Sequence, residues 1–148
     1  MIYSVENVFD VLDEFLGLTQ KVWDEEDQAK GVMELDPNLE AYRSLNDNGM
    51  LRLYTIREED SNRMVGYALY IIQPHLHCKN YFHAMSDVMY IEPEYRKLGT
   101  TLLTLVQEDL KLEGVKWFSF TVKAWLDNGN LADRIDCKHY ENVYQKEL

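Results

Sequence analysis

The sequence contains little that marks a secreted, disulfide-bonded or membrane protein. It has only two cysteines, Cys78 and Cys137, which are too few and too far apart for a disulfide framework. No apolar run approaches the roughly 20 residues needed to cross a bilayer. A signal peptide has a continuous apolar core, whereas the N-terminal segment of this chain has an acidic residue every few positions. We therefore predict reduced thiols, no membrane span and a cytoplasmic location.

Positive charge is also scarce. The chain has 15 Lys and Arg against 26 Asp and Glu, which gives a formal net charge of −11. Nucleic-acid binding requires a basic patch, and here the basic residues are scattered among acids, so we predict no nucleic-acid partner. An acidic surface attracts amines, polyamines or basic proteins, but it equally serves solubility.

The length of 148 residues matches one domain, and the hydrophobic content of 46% is enough to fill its core. We therefore predict a single α/β domain over residues 1–148. Apolar residues at helical spacing predict a long helix over residues 5–23 with Ser4 as N-cap, and Pro37 precedes a short helix at 38–45. Alternation and turn signals predict strands at 50–57, 64–73, 81–91, 115–122 and 140–148, and helices at 99–112 and 127–135. We expect residues 115–122 to form a central, doubly buried strand, parallel to 81–91 across a crossover helix.

The turn IEPEYRKLGTT, residues 91–101, joins the third strand to the helix at 99–112. A helix N-terminus presents unpaired N–H groups and a positive dipole end, which together favour an anion. Gly99 allows close approach, Arg96 and Lys97 add charge, and Leu98 is suited to anchoring the turn to the core. The turn is thus a candidate phosphate site.

This turn resembles the Arg/Gln-x-x-Gly-x-Gly/Ala signature of the GNAT superfamily of N-acetyltransferases, in the form Arg96-x-x-Gly99-x-Thr101 after Pro93 and Tyr95. The order of elements over residues 5–148 also matches that superfamily. The stretches GYALYIIQPHLHCKN, DVMYIEPEYRK and VYQKEL resemble the small GNAT proteins of tailed phages. The resemblance implies a GNAT fold, with a mixed, mostly antiparallel sheet, a splayed parallel pair and flanking helices.

The resemblance further implies acetyl-CoA as co-substrate and a primary amine, on a small molecule or a protein, as acceptor. The implied cofactor-binding residues are Met89, Tyr90 and Ile91 along the pantetheine arm, and Arg96, Lys97, Leu98, Gly99, Thr100 and Thr101 around the pyrophosphate. If the chain is phage-encoded, its location is the host cytoplasm. Whether it is a monomer or a homodimer is left open.

Amine acetylation needs a base, because an amine with a pKa of about 10.4 arrives protonated at neutral pH. Asp87 lies six residues before Pro93, where many superfamily members have an acidic base, and His83 is on the same strand face. The two are about 13 Å apart along a strand, so they are alternatives or ends of a water relay.

Three positions depart from the superfamily pattern. Thr101 stands in place of Gly or Ala, Ala132 in place of the tyrosine that protonates the leaving thiolate, and Asp136 in place of a glycine. Tyr144 or Tyr140 could supply the missing proton. These departures favour an alternative: a GNAT-fold protein of weak or no activity that binds a host or virion protein.

Two other hypotheses depend on the histidines and on the charge. His75, His77, Cys78 and His83 lie within nine residues, but their spacing matches no standard zinc motif, and we predict no metal. An acidic inhibitor that occupies the nucleic-acid site of a host enzyme is a further possibility, which salt-sensitive binding would identify.

Overall fold

A computed structural model describes residues 1–26, 34–122 and 130–141, together with Val143 and Lys146. The strands are β1 (Ile2–Glu6), β2 (Leu51–Arg57), β3 (Met64–Pro74), β4 (Phe82–Ile91) and β5 (Trp117–Ser119). The helices are α1 (Leu12–Glu26), α2 (Leu39–Asp47), α3 (Gly99–Leu112) and α4 (Asn130–Arg134), with 3-10 turns at Val8–Asp10 and Pro93–Leu98. None of the described helices is long and apolar enough to cross a membrane.

The strands form one sheet in the order β1-β2-β3-β4-β5. All neighbours are antiparallel except β4 and β5, which are parallel and connected by α3. A hydrophobic cluster with Phe15 and Leu18 of α1 covers one face, and a cluster with Leu102 and Val106 of α3 covers the other. We call these the α1–α2 face and the α3 face. The predicted mixed, mostly antiparallel sheet with flanking helices is confirmed.

The prediction of a helix from Ser4 is wrong, because this segment forms β1. Ser4 pairs with Thr55 of β2 in an antiparallel register. The helical pattern counted Val5 as a core position, but Val5 lies on an edge strand and is 48% exposed. Asn7 caps the following 3-10 turn through the Phe9 N–H at 2.9 Å, and α1 begins only at Leu12. Pairing with β2 satisfies the backbone and outweighs the local pattern.

β5 is shorter and less central than predicted for residues 115–122. It spans Trp117–Ser119 and pairs only with β4 in the part of the chain that the structure describes. Phe118 packs on the α3 face, whereas Trp117 is 56% exposed, so only one face of this strand is covered by the described residues. The strand predicted at 140–148 lies mostly outside the described residues, and positions 140, 141, 143 and 146 are not in a strand.

A buried arginine joins β1, β2 and α1. The Arg57 guanidinium donates to both Glu6 carboxylate oxygens at 2.8 and 2.9 Å, to Glu14 at 3.0 Å and to the Asn62 carbonyl at 2.7 Å. The Arg57 side chain is 7% exposed. Its hydrogen bonds to Glu6 and Glu14 raise the pKa of Arg57, so the cation is strongly favoured in the folded state.

We expect Arg57→Met to lower the free energy of unfolding by about 3 kcal/mol, because it removes a buried cation and leaves the partly buried Glu6 carboxylate unpaired. The matched control is Arg52→Met, which breaks the more exposed pair of Arg52 with Glu113 and should cost about 1 kcal/mol or less. Urea denaturation measures both. Equal losses in the two variants would contradict the expectation.

Candidate active site

β4 and β5 are paired at one end and separate toward the other. Their register runs from His83–Trp117 to Met85–Ser119 and then stops. One step further, the Thr121 N–H donates to the Ser86 side-chain oxygen at 3.1 Å. From Ser86 onward, the outer edge of β4 has no partner strand among the described residues. Backbone groups on that edge have no strand partner in the described ranges, and they are the groups that a ligand between the two strands would bind.

Asp87 occupies a β-bulge at the start of this open edge. On the other side of β4, Leu69 pairs with Val88 and Tyr70 with Ser86, so Asp87 has no partner on β3. Bulges redirect side chains and occur next to active sites. Val88 packs in the cluster of the α1–α2 face, and the Asp87 carboxylate interacts with the Tyr42 hydroxyl of α2. The bulge thus places the carboxylate on the α1–α2 face at the opening between β4 and β5.

The surroundings of Asp87 raise its pKa. Burial raises the pKa of Asp87 above its usual value, and the hydrogen bond from Tyr42 opposes this effect without reversing it. Asp87 as a whole is nonetheless exposed, so its carboxylate is only partly shielded from solvent. A carboxylate with a raised pKa is a better base than an ordinary aspartate, because catalytic bases work best with a pKa near the working pH.

His83 is engaged in a different interaction. Its Nε2 lies 2.7 Å from the Gln73 side-chain amide of β3, and its ring meets that of His75 edge-to-face at 5.4 Å between centroids. This ring nitrogen already has a hydrogen-bond partner, which favours Asp87 over His83 as the base. His77 is near His75, at 6.0 Å between centroids. Among the described residues, no three His, Cys, Asp or Glu side chains are arranged so that they could hold a metal ion. The absence of a metal stays a prediction.

Glu25 connects α1 to β4 and to the turn between β4 and α3. Its carboxylate accepts a hydrogen bond from the Tyr90 hydroxyl at 2.7 Å and one from the Arg96 guanidinium at 3.2 Å. In the sequence, Glu25 belongs to an acidic run at 24–27, for which a solvated helix end is the usual role. Because Arg96 is about half exposed and its partner is also exposed, this ion pair is weak and can exchange for another anion.

The turn from β4 to α3 has the features of an anion site. The 3-10 turn Pro93–Leu98 continues directly into α3, and no side chain caps the first turn of that helix. Lys97 and Thr101 are exposed beside it, Thr100 is half-buried, and Leu98 packs against the cluster of the α3 face. The Gly99 N–H already donates to the Arg96 carbonyl. The positive end of the α3 dipole, with positive charge beside it, is therefore the feature that favours an anion here.

Gly99 is buried at this junction. A Cβ added there would lie 3.6 Å from Ile91 and 3.7 Å from Leu131 of α4. The space that a larger side chain at position 99 would enter is therefore inside the protein, between β4 and α4. Substitution of Gly99 would disturb packing as well as any ligand, so Thr101 is the better position for an experiment on the turn.

The end of α4 has a backbone conformation that is usual for glycine. The Cys137 N–H donates to the Ala132 carbonyl at 3.0 Å, and the Asp136 N–H to the Asp133 carbonyl at 3.3 Å. Asp136 has φ +54, the left-handed conformation for which glycine is preferred. Asp136 thus adopts the glycine-like conformation at this helix end. Tyr144 lies outside the described residues, so its proposed role stays a prediction.

A buried hydroxyl lies level with the point where β4 and β5 separate. Tyr70 of β3 is opposite Ser86, and its ring meets Phe118 of β5 at 6.4 Å on the α3 face. The Tyr70 hydroxyl has no hydrogen-bond partner within the described structure. Burial, with a smaller contribution from Cys137, raises its pKa, so it is a neutral donor at physiological pH. A buried unpaired hydroxyl is costly, which favours a polar ligand group near it.

Comparisons with known proteins agree with this architecture. The model of the acetyltransferase (GNAT) family matches residues 10–132. A comparison with curated proteins finds no match. An acetyltransferase of Trypanosoma brucei superposes with a TM-score of 0.73 at 15% identity, and 99% of each chain is covered.

Two further solved structures show the same fold. An aminoglycoside acetyltransferase from an uncultured soil metagenomic sample, in complex with sisomicin, has a TM-score of 0.72 at 12% identity, with 99% of this chain and 96% of that one covered. A predicted acetyltransferase from Clostridium acetobutylicum, with acetyl-CoA, has a TM-score of 0.67 at 15% identity, with 99% and 95% covered. By the family match over residues 10–132 and by its fold, the chain belongs to the GNAT acetyltransferase family.

Proposed function

We propose that this protein transfers the acetyl group of acetyl-CoA to a primary amine. The observation that carries the proposal is the arrangement along β4. In the part of the chain that the structure describes, this strand has an unpaired edge with Asp87 at its start, and it ends in the turn that leads to the N-terminus of α3, which has no side-chain cap. An open strand edge, a carboxylate and an anion site thus follow one another along a single strand.

The residues present fit acetyl-CoA. Arg96, Lys97 and the backbone of Thr100 and Thr101, with Leu98 and Gly99 shaping the turn, would hold the pyrophosphate. The backbone of Met89, Tyr90 and Ile91 would bind the pantetheine arm. Acetyl-CoA has been found with a structure of the same fold from Clostridium acetobutylicum, which supports the choice of co-substrate.

Asp87 is the residue to which we assign the proton. The amine nitrogen forms a bond to the acetyl carbon, and Asp87 takes the proton that the amine releases, directly or through water. The bond from the acetyl carbon to sulfur breaks, and coenzyme A leaves as a thiolate, to which Tyr144 or Tyr140 would supply a proton. Backbone groups on the open edge of β4 are positioned to orient the thioester carbonyl. His83, whose Nε2 is engaged by Gln73, is the second choice for the base.

Calorimetry and a coupled mass-spectrometric assay test the proposal. We expect acetyl-CoA to bind with micromolar affinity, roughly −8 kcal/mol. We also expect an increase of one acetyl mass on at least one member of an amine panel that includes polyamines, aminoglycosides and lysine peptides. The panel follows from the net charge of −11, which attracts cations, and from the aminoglycoside acetyltransferase of the same fold.

Absence of binding at millimolar acetyl-CoA would contradict the proposal. Binding without turnover on any amine would instead support the alternative, a GNAT-fold protein that acts by binding a partner protein. The phage origin, the cytoplasmic location and the absence of nucleic-acid binding stay predictions. The acceptor and the acyl chain length are to be found by the same assay.

A further inference from the structure

The position of the Asp87 carboxylate depends on a residue of another element. We propose that Tyr42 of α2 is a positioning residue, whose hydroxyl holds the Asp87 carboxylate at the opening between β4 and β5. Its catalytic consequence rests on the proposed acetyl transfer. The contact between the two side chains is a property of the protein alone and can be measured without any substrate.

Asp87 needs support from outside its own strand. Because it is the extra residue of a bulge, it has no cross-strand neighbour on β3 to hold its side chain. β5 is no longer paired with β4 at this level, as its last paired residue is Ser119 opposite Met85. Tyr42 of α2 and Val88, the residue after Asp87, pack against the same cluster of the α1–α2 face. The Tyr42 hydroxyl is the group that interacts with the Asp87 carboxylate and opposes the rise in its pKa.

The start of α2 fixes the backbone of Tyr42. Asn38 is the N-cap of this helix, and its side-chain oxygen accepts the Ala41 N–H at 3.0 Å. The Asn38 carbonyl accepts the Tyr42 N–H at 3.1 Å. Tyr42 therefore lies in the capped first turn, where the helix is held by both a side-chain and a backbone bond.

The ring of Tyr42 is held by the buried core. It meets the ring of Phe15 of α1 edge-to-face at 5.9 Å between centroids, and Phe15 in turn meets Tyr67 of β3 at 5.1 Å. Phe15 and Tyr67 are fully buried. Such pairs favour defined ring orientations, so the core determines where the Tyr42 hydroxyl points.

Of the two tyrosines beside Asp87, the proton of Tyr67 is already used. The Thr19 hydroxyl lies 2.8 Å from the Phe15 carbonyl and 3.0 Å from the Tyr67 hydroxyl. A hydroxyl has one hydrogen, and Thr19 donates it to the carbonyl, so the Tyr67 hydroxyl donates to Thr19. Tyr42 is then the tyrosine whose proton is directed at Asp87.

The titratable groups beside Asp87 are consistent with this role. Burial, followed by the charge of Asp87, raises the pKa of Tyr42 to about 12, so the phenol stays a donor across the working pH range. Burial also raises the pKa of Tyr67, and Asp87 adds to that rise. Glu25 and Tyr90 belong to a separate group that is joined by its own hydrogen bond.

The test compares Tyr42→Phe with Tyr54→Phe. Tyr54 is a matched control, because its hydroxyl also donates to an aspartate, Asp109 at 2.9 Å, but on the α3 face of the sheet. The carboxyl carbon of Asp87 is titrated by NMR in the protein without cofactor, with Asp87→Asn to assign the signal. Loss of a hydrogen bond to the ionised form should raise the pKa of Asp87 by about 0.5 to 1 unit in Tyr42→Phe.

In Tyr54→Phe the pKa of Asp87 should not change, even if the protein is less stable. In an active wild-type enzyme, the acid limb of the kcat/KM profile of Tyr42→Phe should move to higher pH by the same amount. An unchanged pKa in Tyr42→Phe, or equal shifts in both variants, would overturn the inference. A shift confined to Tyr42→Phe, in a protein that acetylates nothing, would support the positioning role and reject the proposed function.

Discussion

Replacement of Asp87 by Asn is expected to lower kcat for acetyl transfer by a factor of about 10² or more, the usual contribution of a general base. The affinity for acetyl-CoA should stay the same, because the cofactor contacts proposed above lie further along β4 and in the following turn. Asn has nearly the same shape as Asp, and its side-chain oxygen can still accept the Tyr42 proton. Steady-state kinetics and calorimetry measure the two effects separately.

The stability of this variant separates loss of chemistry from loss of folding. Burial raises the pKa of Asp87 in the folded state above its unfolded value. The folded protein therefore binds the proton more tightly, and Asp87 reduces stability as the pH rises from its unfolded pKa through its folded pKa. At neutral pH, Asp87→Asn removes this unfavourable charge. We expect its melting temperature to equal or exceed that of the wild type.

His83→Gln provides the comparison. The ring of His83 is engaged by Gln73, so its loss should reduce kcat by less than a factor of about ten if Asp87 is the base. The wild-type rate should also fall as the pH drops through the raised pKa of Asp87, and this limb should be missing from Asp87→Asn. A larger loss in His83→Gln than in Asp87→Asn would reverse the assignment of the base.

The parts of the fold that were predicted correctly have strong local signals. α3 begins at Gly99 and ends at Leu112, as its apolar spacing and Gly114 indicated, and Gly114 has φ +82. The polar run at 58–63 is the loop that joins β2 to β3 in a hairpin, as predicted. β1 was missed because its pairing with β2 involves residues about 50 positions away, which no local pattern contains.

The candidate site shows the same division. The turn at Gly99 was chosen from the sequence, because a strand, basic residues and a glycine follow one another along the chain. Asp87 was chosen from the resemblance, because it lies six residues before Pro93, where many superfamily members have an acidic base. The sequence did not show which residue of β4 forms the bulge, since this depends on the register between β3 and β4. Tyr42 was missed too. The signal was a tyrosine three residues before Leu45 on the apolar stripe of α2, where a buried ring needs a partner for its hydroxyl.

Thr101→Glu is expected to weaken acetyl-CoA binding by a factor of about 10 to 100, which corresponds to about 1.4 to 2.7 kcal/mol. Thr101 is exposed in the first turn of α3, so a Glu there needs no repacking and would lie beside the proposed pyrophosphate site. A negative charge near a helix N-terminus stabilises the helix by about 0.3 to 1 kcal/mol. The variant should therefore be at least as stable as the wild type while its Kd increases.

Thr104→Glu is the matched control for this variant. Thr104 is also exposed on α3, one turn further on, and its hydroxyl donates only to the Thr100 carbonyl at 3.0 Å within the described structure. It adds the same charge outside the first turn, where the dipole and the N–H groups no longer act. Calorimetry should show little change in Kd for Thr104→Glu, and the gap between the variants should narrow at high salt. If both variants weaken binding equally, net charge rather than the turn governs affinity, and the pyrophosphate does not bind at the start of α3.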